Sequence, residues 1–365
     1  MAASFPGLIA NRLQTERFRL VDVGCSGGID PIWRAFEPRL AALGIDASET
    51  ECRRLSAAER NPDVCYVAAF AARSADRPID ISAGPAAPLI MRMRDRLSFM
   101  RTREIRDARL KHSSTAEQLR NNAWELTGLA DPARPVVVPE LLAERQWADL
   151  DYLKVDVDGA DFDILQSFAG RLASLGTLAV QLEVNFVGTE QPDDHTFHNT
   201  DRFMRAEGFD LLRLDVRTFS SRALPARYIW PTPAETVSGR PFQGEAYYAR
   251  DVLAPHRTAA NAGLGPEKLA KLAAIFAAWD VPDAAAELLL AKRETLTRLL
   301  DVEAALDLLA AQTQRQRRRP LPYRRYMATF EADAASFYRP EGPVPVRERL
   351  RSAWRGYWFP REKRP

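Results

Sequence analysis

A short apolar run that stops abruptly in glycines constrains this chain more than any other feature. Phe18–Val23 (FRLVDV) leads directly into Gly24, Cys25, Ser26, Gly27 and Gly28. A brief apolar segment bounded by glycine is the pattern of a buried parallel strand. Glycines at its end let backbone N–H groups approach a ligand with no Cβ in the way. Such a chain is expected to build an open α/β sheet with its ligand at the carboxyl end of that strand.

The pattern then repeats. Helical spacing over Ile29–Leu43 leads to a second short strand, Leu43–Ala47, a polar helix over Ser48–Glu59, and a third strand, Val64–Phe70. After an irregular stretch come Val136–Val138, a helix over Pro139–Trp147 and the strand Tyr152–Val157. Leu178–Phe186, Phe209–Val216 and Glu245–Ala249 supply further strands, with helices at Phe162–Ser174 and His198–Glu207. Strands and helices alternating at this spacing predict a Rossmann-like α/β domain with a mostly parallel, seven-stranded sheet. No obvious helix separates the last two strands, which predicts an antiparallel edge hairpin.

Composition divides the chain. Residues 1–252 carry the alternating pattern, interrupted at about 77–130 by a charged, arginine-rich insertion that includes Arg92, Arg94, Arg96, Arg101 and Arg103. Those arginines hint at an acidic or phosphorylated substrate. Residues 253–313 turn rich in Ala and Leu at helical spacing and read as a helical extension. Gly265–Lys292 resembles a single tetratricopeptide-like hairpin, which cannot bury its own apolar face and must pack on the catalytic domain or on a partner. Residues 314–365 form a basic, aromatic tail with fourteen Arg/Lys against five Asp/Glu. That mixture suits an anionic partner or membrane surface. The whole chain's net charge of +2 is too small to argue for nucleic acid as the main partner, and no specific nucleic acid is predicted. Three scattered cysteines make neither a disulfide framework nor a zinc site. The first twenty residues lack a basic n-region, and no apolar run approaches the roughly 18 residues of a membrane span, so a cytoplasmic protein is expected.

The chemistry-bearing residues lie at the strand ends. Asp22 and the glycine turn read D-x-G-x-S-G-G, which departs from the dinucleotide fingerprint G-x-G-x-x-G and is close to the methyltransferase form D-x-G-x-G-x-G, with Ser26 at the middle glycine. Asp46 ends the second strand 22 residues after Gly24, where an acidic side chain accepts both ribose hydroxyls of a nucleoside. Ala47 and Ile45 flank it to line the adenine. Asp151–Leu165 (DYLKVDVDGADFDIL) places Asp156 and Asp158 at the end of a central strand, where ligands of open α/β sheets bind. Asp158 is the first choice for acceptor positioning or general base, its plain alternative being a helix cap. Glu183 and Asn185 share a strand face and, with Asp156, offer oxygens suited to a divalent metal. His195, in the loop Asp193–Asp201, is a second candidate base, with His198 behind it. Lys154 on a buried strand is costly to bury charged and should pair with a carboxylate.

Taken together the glycine motif, the Asp46 strand, VAAFAARS after the third strand, PVVVPELLAE and above all LKVDVDGADFDILQSF resemble the FkbM-type methyltransferase family. The resemblance spans about Phe18 to Arg250, and two glutamates of the family pattern are aspartates here, Asp158 and Asp161. It implies a class I methyltransferase fold and S-adenosyl-L-methionine as cofactor, held by Asp22, Gly24, Cys25, Ser26, Gly27, Asp46, Ala47, Ala69 and Asp156. It also implies methylation of a hydroxyl on a small-molecule or glycan acceptor, such as a sugar or secondary metabolite. The alternatives are a catalytically idle cofactor-binding scaffold, a nicotinamide oxidoreductase lacking its fingerprint, and a serine hydrolase using GCSGG as a nucleophile elbow. The hydrolase reading leaves Asp46 and the LKVDVDG strand without a role.

Overall fold

Seven strands pair in the order β3-β2-β1-β4-β5-β7-β6, and β7 alone runs against the rest. The computed structural model describes residues 4–14, 16–76, 97, 128–157, 159–229, 235–257, 263–315 and 317–338. Asp158, the arginines of the insertion and the tail beyond Tyr338 lie outside these residues.

The strands are β1 (Phe18–Val23), β2 (Leu40–Asp46), β3 (Val64–Ala68), β4 (Tyr152–Val155), β5 (Ala179–Asn185), β6 (Asp210–Phe219) and β7 (Arg240–Ala249). The helices before and between them are α1 (Phe5–Ala10), α2 (Glu49–Ala58), α3 (Val138–Glu144), α4 (Asp161–Gln166) and α5 (Phe197–Ala206). After the sheet come α6 (Pro266–Ala278), α7 (Pro282–Ala291), α8 (Arg293–Leu296), α9 (Val302–Thr313) and α10 (Tyr323–Ala332). The chain divides into two compact units, Met1–Ala305 and Leu306–Pro365.

The seven strands and the reversed edge match the sequence reading, but several boundaries move. Ile29–Leu43 is not one helix. It is a 3-10 turn, Pro31–Phe36, followed by β2, which starts at Leu40. Pro38 has no N–H to continue a helix and holds Glu37 extended. Leu40, Ala41 and Ala42 are good helix formers, yet they pair with Phe18, Arg19 and Leu20, and burial between two strands decides their conformation. The helix expected over Phe162–Ser174 ends at Gln166, and Gly170 turns the chain at φ +70°. Strand β7 begins at Arg240 rather than Glu245, because its first residues already pair with Phe219, Thr218 and Arg217 of β6 and Gln243 with Asn185 of β5.

Each face of the sheet is packed differently. Val21, Val23, Leu43, Leu153, Val155, Val180 and Leu182 point into the main core, under Leu142 of α3, Phe162 and Leu165 of α4, and Met204 of α5. On the opposite face Phe18 stacks on Phe36 at 4.0 Å between ring centroids, and Trp33 lies 4.4 Å from Tyr152. Trp279, just after α6, donates its indole N–H to the Tyr152 hydroxyl at 3.2 Å.

Helix α6 is locked to this face by charge. Lys271, completely buried, reaches Asp151 Oδ2 at 3.1 Å and Glu16 Oε2 at 2.6 Å, while Lys268 meets Asp151 Oδ1 at 2.5 Å. Asp151 is buried as well and also accepts the Arg19 N–H at 2.8 Å. Ions taken out of water hold together only when each finds its partners. Replacing Asp151 with Ala removes the shared partner of both lysines. We expect a loss of about 3–5 kcal/mol, read as a fall in the urea midpoint at unchanged slope. A loss below about 1 kcal/mol, the range of an exposed pair, would show the clamp to be incidental.

Candidate functional site

The site begins where β1 and β4 part. Strand β1 continues to β2 on one side while β4 lies on its other side, so a crevice opens at their carboxyl ends. Gly24 turns the chain there at φ +86°, and a Cβ on it would sit 1.8 Å from the Asp156 carbonyl oxygen. No other residue fits. The Asp156 N–H in turn bonds the Val23 carbonyl at 2.9 Å, so the glycine turn and the end of β4 form one block.

The turn is anchored from three sides. Gly24 and Cys25 donate to the Ile45 carbonyl at 2.8 and 3.3 Å. Ser26 and Gly27 are exposed at its crest, and the Gly27 N–H meets Glu51 Oε1 of α2 at 3.0 Å. Cys25 is buried against Gly44, and its thiol meets that of Cys52. All three cysteines are free thiols.

Asp46, at the tip of β2, is half buried, and burial raises its pKa against the backbone N–H groups of Ser48 and Ser26, which favour the ionised form. Ala47 accepts from Ala130, and Ser48 bridges to Leu129, so residues 128–130 run beside this strand end. Ala69 is buried and donates to the Asp46 carbonyl at 2.9 Å. Asp22, Gly24, Cys25, Ser26, Gly27, Asp46, Ala47, Ala69 and Asp156 thus lie along one stretch of the sheet's carboxyl edge.

Below the turn lies a row of charges. Burial lifts the Asp22 carboxyl to a pKa of about 6 even though Lys154 Nζ lies 3.2 Å away. Burial pulls the Lys154 ammonium downward, but Asp22 and Asp156, the latter at 3.4 Å, outweigh it and leave the pKa raised. Carboxylate oxygens of Asp156, Glu183 and Glu245 come within 4.8 Å of one another. Arg217 spans Glu183 at 3.4 Å and Glu245 at 2.9 Å, and the Gln243 amide donates to Glu183 at 2.9 Å. Burial first, then Asp156, raise the Glu245 pKa. The four carboxylates face two cations, Lys154 and Arg217, and the excess is negative.

The expected metal set changes membership. Asn185 turns its amide to His195 at 3.3 Å, and Glu245 of β7 takes the third position beside Asp156 and Glu183. These oxygens suit a hard divalent ion in type, but Lys154 and Arg217 already lie against them.

His195 faces inward. Its Nε2 meets the Glu183 carbonyl at 2.9 Å, so that nitrogen carries the proton and Nδ1 accepts from Asn185. Both ring nitrogens are thus engaged by the protein. Nδ1 also lies 3.8 Å from Asp161 Oδ2, and Asp161, completely buried, accepts the Val157 and Gly159 N–H groups at 3.0 Å each. These two residues brace the loop that follows Asp156. His198 is exposed on α5.

Sequence reasoning passed over Glu51, Arg217 and Glu245. Glu51 had a signal, since Ser48-x-x-Glu51 is a capping box, and its side chain goes to the glycine turn instead. Arg217 and Glu245 had none. They meet only because β7 inserts between β5 and β6.

The strand order 3-2-1-4-5-7-6, with a glycine turn at the switch point, is that of the class I methyltransferase fold. Residues 109–211, which include β4 and β5, match the model of the methyltransferase FkbM domain, the family that the sequence resembles. The match does not extend to Asp22 or Asp46. No curated protein matches the chain. Solved structures similar to it include magnesium protoporphyrin IX methyltransferase from Synechocystis with bound SAM, at 9% identity, covering 68% of this chain and 78% of that one, TM-score 0.29. A SAM-dependent methyltransferase from Aquifex aeolicus is 7% identical, covering 67% and 88%, TM-score 0.27. Precorrin-6y C5,15-methyltransferase from Geobacter metallireducens is 9% identical, covering 67% and 88%, TM-score 0.29.

Gly24→Ala tests the close approach. Its methyl group can neither adopt the backbone angle freely nor clear the Asp156 carbonyl. We expect the variant to unfold at lower temperature and to bind any ligand of this turn about tenfold more weakly or worse. Wild-type binding and melting would show that the two strand ends are not held together.

Proposed function

We propose that the protein binds S-adenosyl-L-methionine at the carboxyl edge of β1 and β2 and transfers its methyl group to a hydroxyl oxygen. The observation that carries this reading is the Gly24 turn, pressed on the Asp156 carbonyl with Asp46 one strand away. The open backbone of the turn suits a closely approaching ligand, and Asp46 sits where a ribose diol is bound. Asp22, ionised at neutral pH despite its burial, suits an ammonium group. The negative excess over Lys154 and Arg217 favours a ligand that is itself cationic.

The bound cofactor supplies an activated methyl group and its own leaving group. The protein's own work is in-line positioning and removal of the hydroxyl proton. Asp156, the most exposed carboxylate of its cluster, receives that proton as the oxygen bonds to the methyl carbon. Asp158, two residues further along the sequence, keeps the role of second carboxylate at the acceptor that the sequence gives it. Lys154 lies 3.4 Å from Asp156, and Glu183, Gln243 and Glu245 offer the mixed donors and acceptors that a hydroxyl-rich acceptor matches. A sugar, glycan or secondary metabolite is the acceptor class this favours.

Calorimetry with S-adenosylmethionine and S-adenosylhomocysteine tests the reading. We expect both to bind, and Asp46→Ala to weaken them by roughly a hundredfold, two hydrogen bonds to a charged group being lost. Folded protein that binds neither would overturn the proposal.

The same titration has a pH signature. Asp22 has its pKa raised to about 6 from 3.8, so its proton stabilises the ligand-free fold in acid, and that contribution is lost as pH rises through about 6. Binding an ammonium needs the ionised form. Cofactor affinity should therefore be flat above about pH 7 and fall by up to about tenfold per unit below about pH 6. A flat profile down to about pH 5 would remove Asp22 from the ammonium site.

A further inference from the structure

The second unit, taken by itself, carries a surface that the methyl-transfer reading leaves unused. Gln314, nearly buried, ties down the turn after α9: its Nε2 donates to the Leu321 carbonyl at 2.9 Å and its Oε1 accepts the Leu321 N–H at 3.0 Å. The chain between these bonds carries Arg315, Arg317, Arg318 and Arg319. Helix α10 follows at once, fixed at its start by the Tyr323 N–H on Asp307 Oδ1 at 2.7 Å, and adds Arg324 and Arg325. All six arginines are exposed, and no acidic residue stands between Asp307 and Glu331.

Tyr323, Tyr326, Met327 and Phe330 recur at i, i+3, i+4 and i+7, and so line one face of α10. None of the helix's side chains is buried. Phe337, from the 3-10 turn Ala334–Tyr338, adds its ring to this face at 5.3 Å from Tyr326 and 5.1 Å from Phe330. Phe330 and Phe337 remain 42% and 39% exposed. A small aromatic surface is thus held in fixed register with a dense positive turn.

We propose that this unit docks the protein on an anionic lipid bilayer, with the Tyr323–Phe330 face entering the headgroup boundary and the arginines meeting lipid phosphates. An aromatic face edged by arginine is the composition that partitions into the interface plane, and clustered basic side chains draw it to anionic lipid. The rings favour a bilayer over single-stranded nucleic acid. Phe330 and Phe337 meet edge-to-face at 88°, closing one another into an apolar surface rather than standing apart as stacking platforms. The proposal is independent of the methyl-transfer reading.

Flotation of the full chain with vesicles tests it, using phosphatidylcholine alone and phosphatidylcholine mixed with phosphatidylglycerol. We expect binding to the mixed vesicles that weakens with salt, and little to the neutral ones. Combined Arg317→Gln, Arg318→Gln and Arg319→Gln should weaken it on the order of a hundredfold. Phe330→Asp should weaken it about tenfold or more, through lost apolar burial. Unchanged melting of both variants shows that the fold is intact. Equal binding to the two vesicle types, no binding to either, full binding by Phe330→Asp, or tighter binding of a single-stranded oligonucleotide than of anionic vesicles would each overturn the proposal.

Discussion

The ligand edge depends on one steric constraint, the absence of a side chain at Gly24. Because that residue is only backbone, the end of β1 lies against the Asp156 carbonyl, and two strands from different parts of the chain share one boundary. The consequences spread outward from there. The Ile45 carbonyl can receive two N–H groups of the turn, Asp46 is held one strand over, and Lys154 finds Asp22 and Asp156 on either side of its ammonium. A bulkier residue would force the two strand ends apart.

Charge then differentiates the two sides. Toward β1 lies one buried carboxylate, Asp22, paired with Lys154. Toward β5 and β7 lie three, Asp156 against Lys154, and Glu183 and Glu245 against Arg217, a denser network. The His195–Asp161 pair stands behind this network rather than in it. A histidine near an acidic loop reads in sequence as a base, whereas here its ring is spent on the Glu183 carbonyl and the Asn185 amide.

Where the physics is local, the sequence was informative. The glycine turn, the Asp46 strand and the reversed edge could be read from Phe18–Gly28, LGIDA and the missing helix before β7. Boundaries were less legible wherever tertiary burial overrode propensity. Leu40–Ala42 look helical and become a strand because two neighbours enclose them. Arg217 and Glu245 could not have been paired in advance, since the strand order that joins them is a property of the whole sheet. The lysines of α6 were equally silent: a Lys in an Ala/Leu-rich helix reads as a solvent-facing residue, and nothing nearby in sequence announces Asp151.

That last pairing has a temporal consequence. Asp151 stands at the entrance to the central strand, yet its buried counter-charge lies 120 residues downstream. A chain emerging from the ribosome exposes β1, β2 and β4 well before Lys271 exists, so their edge toward Asp151 stays hydrated until α6 arrives. The sheet of this protein is therefore expected to close late in synthesis, with the helix after it as its final component.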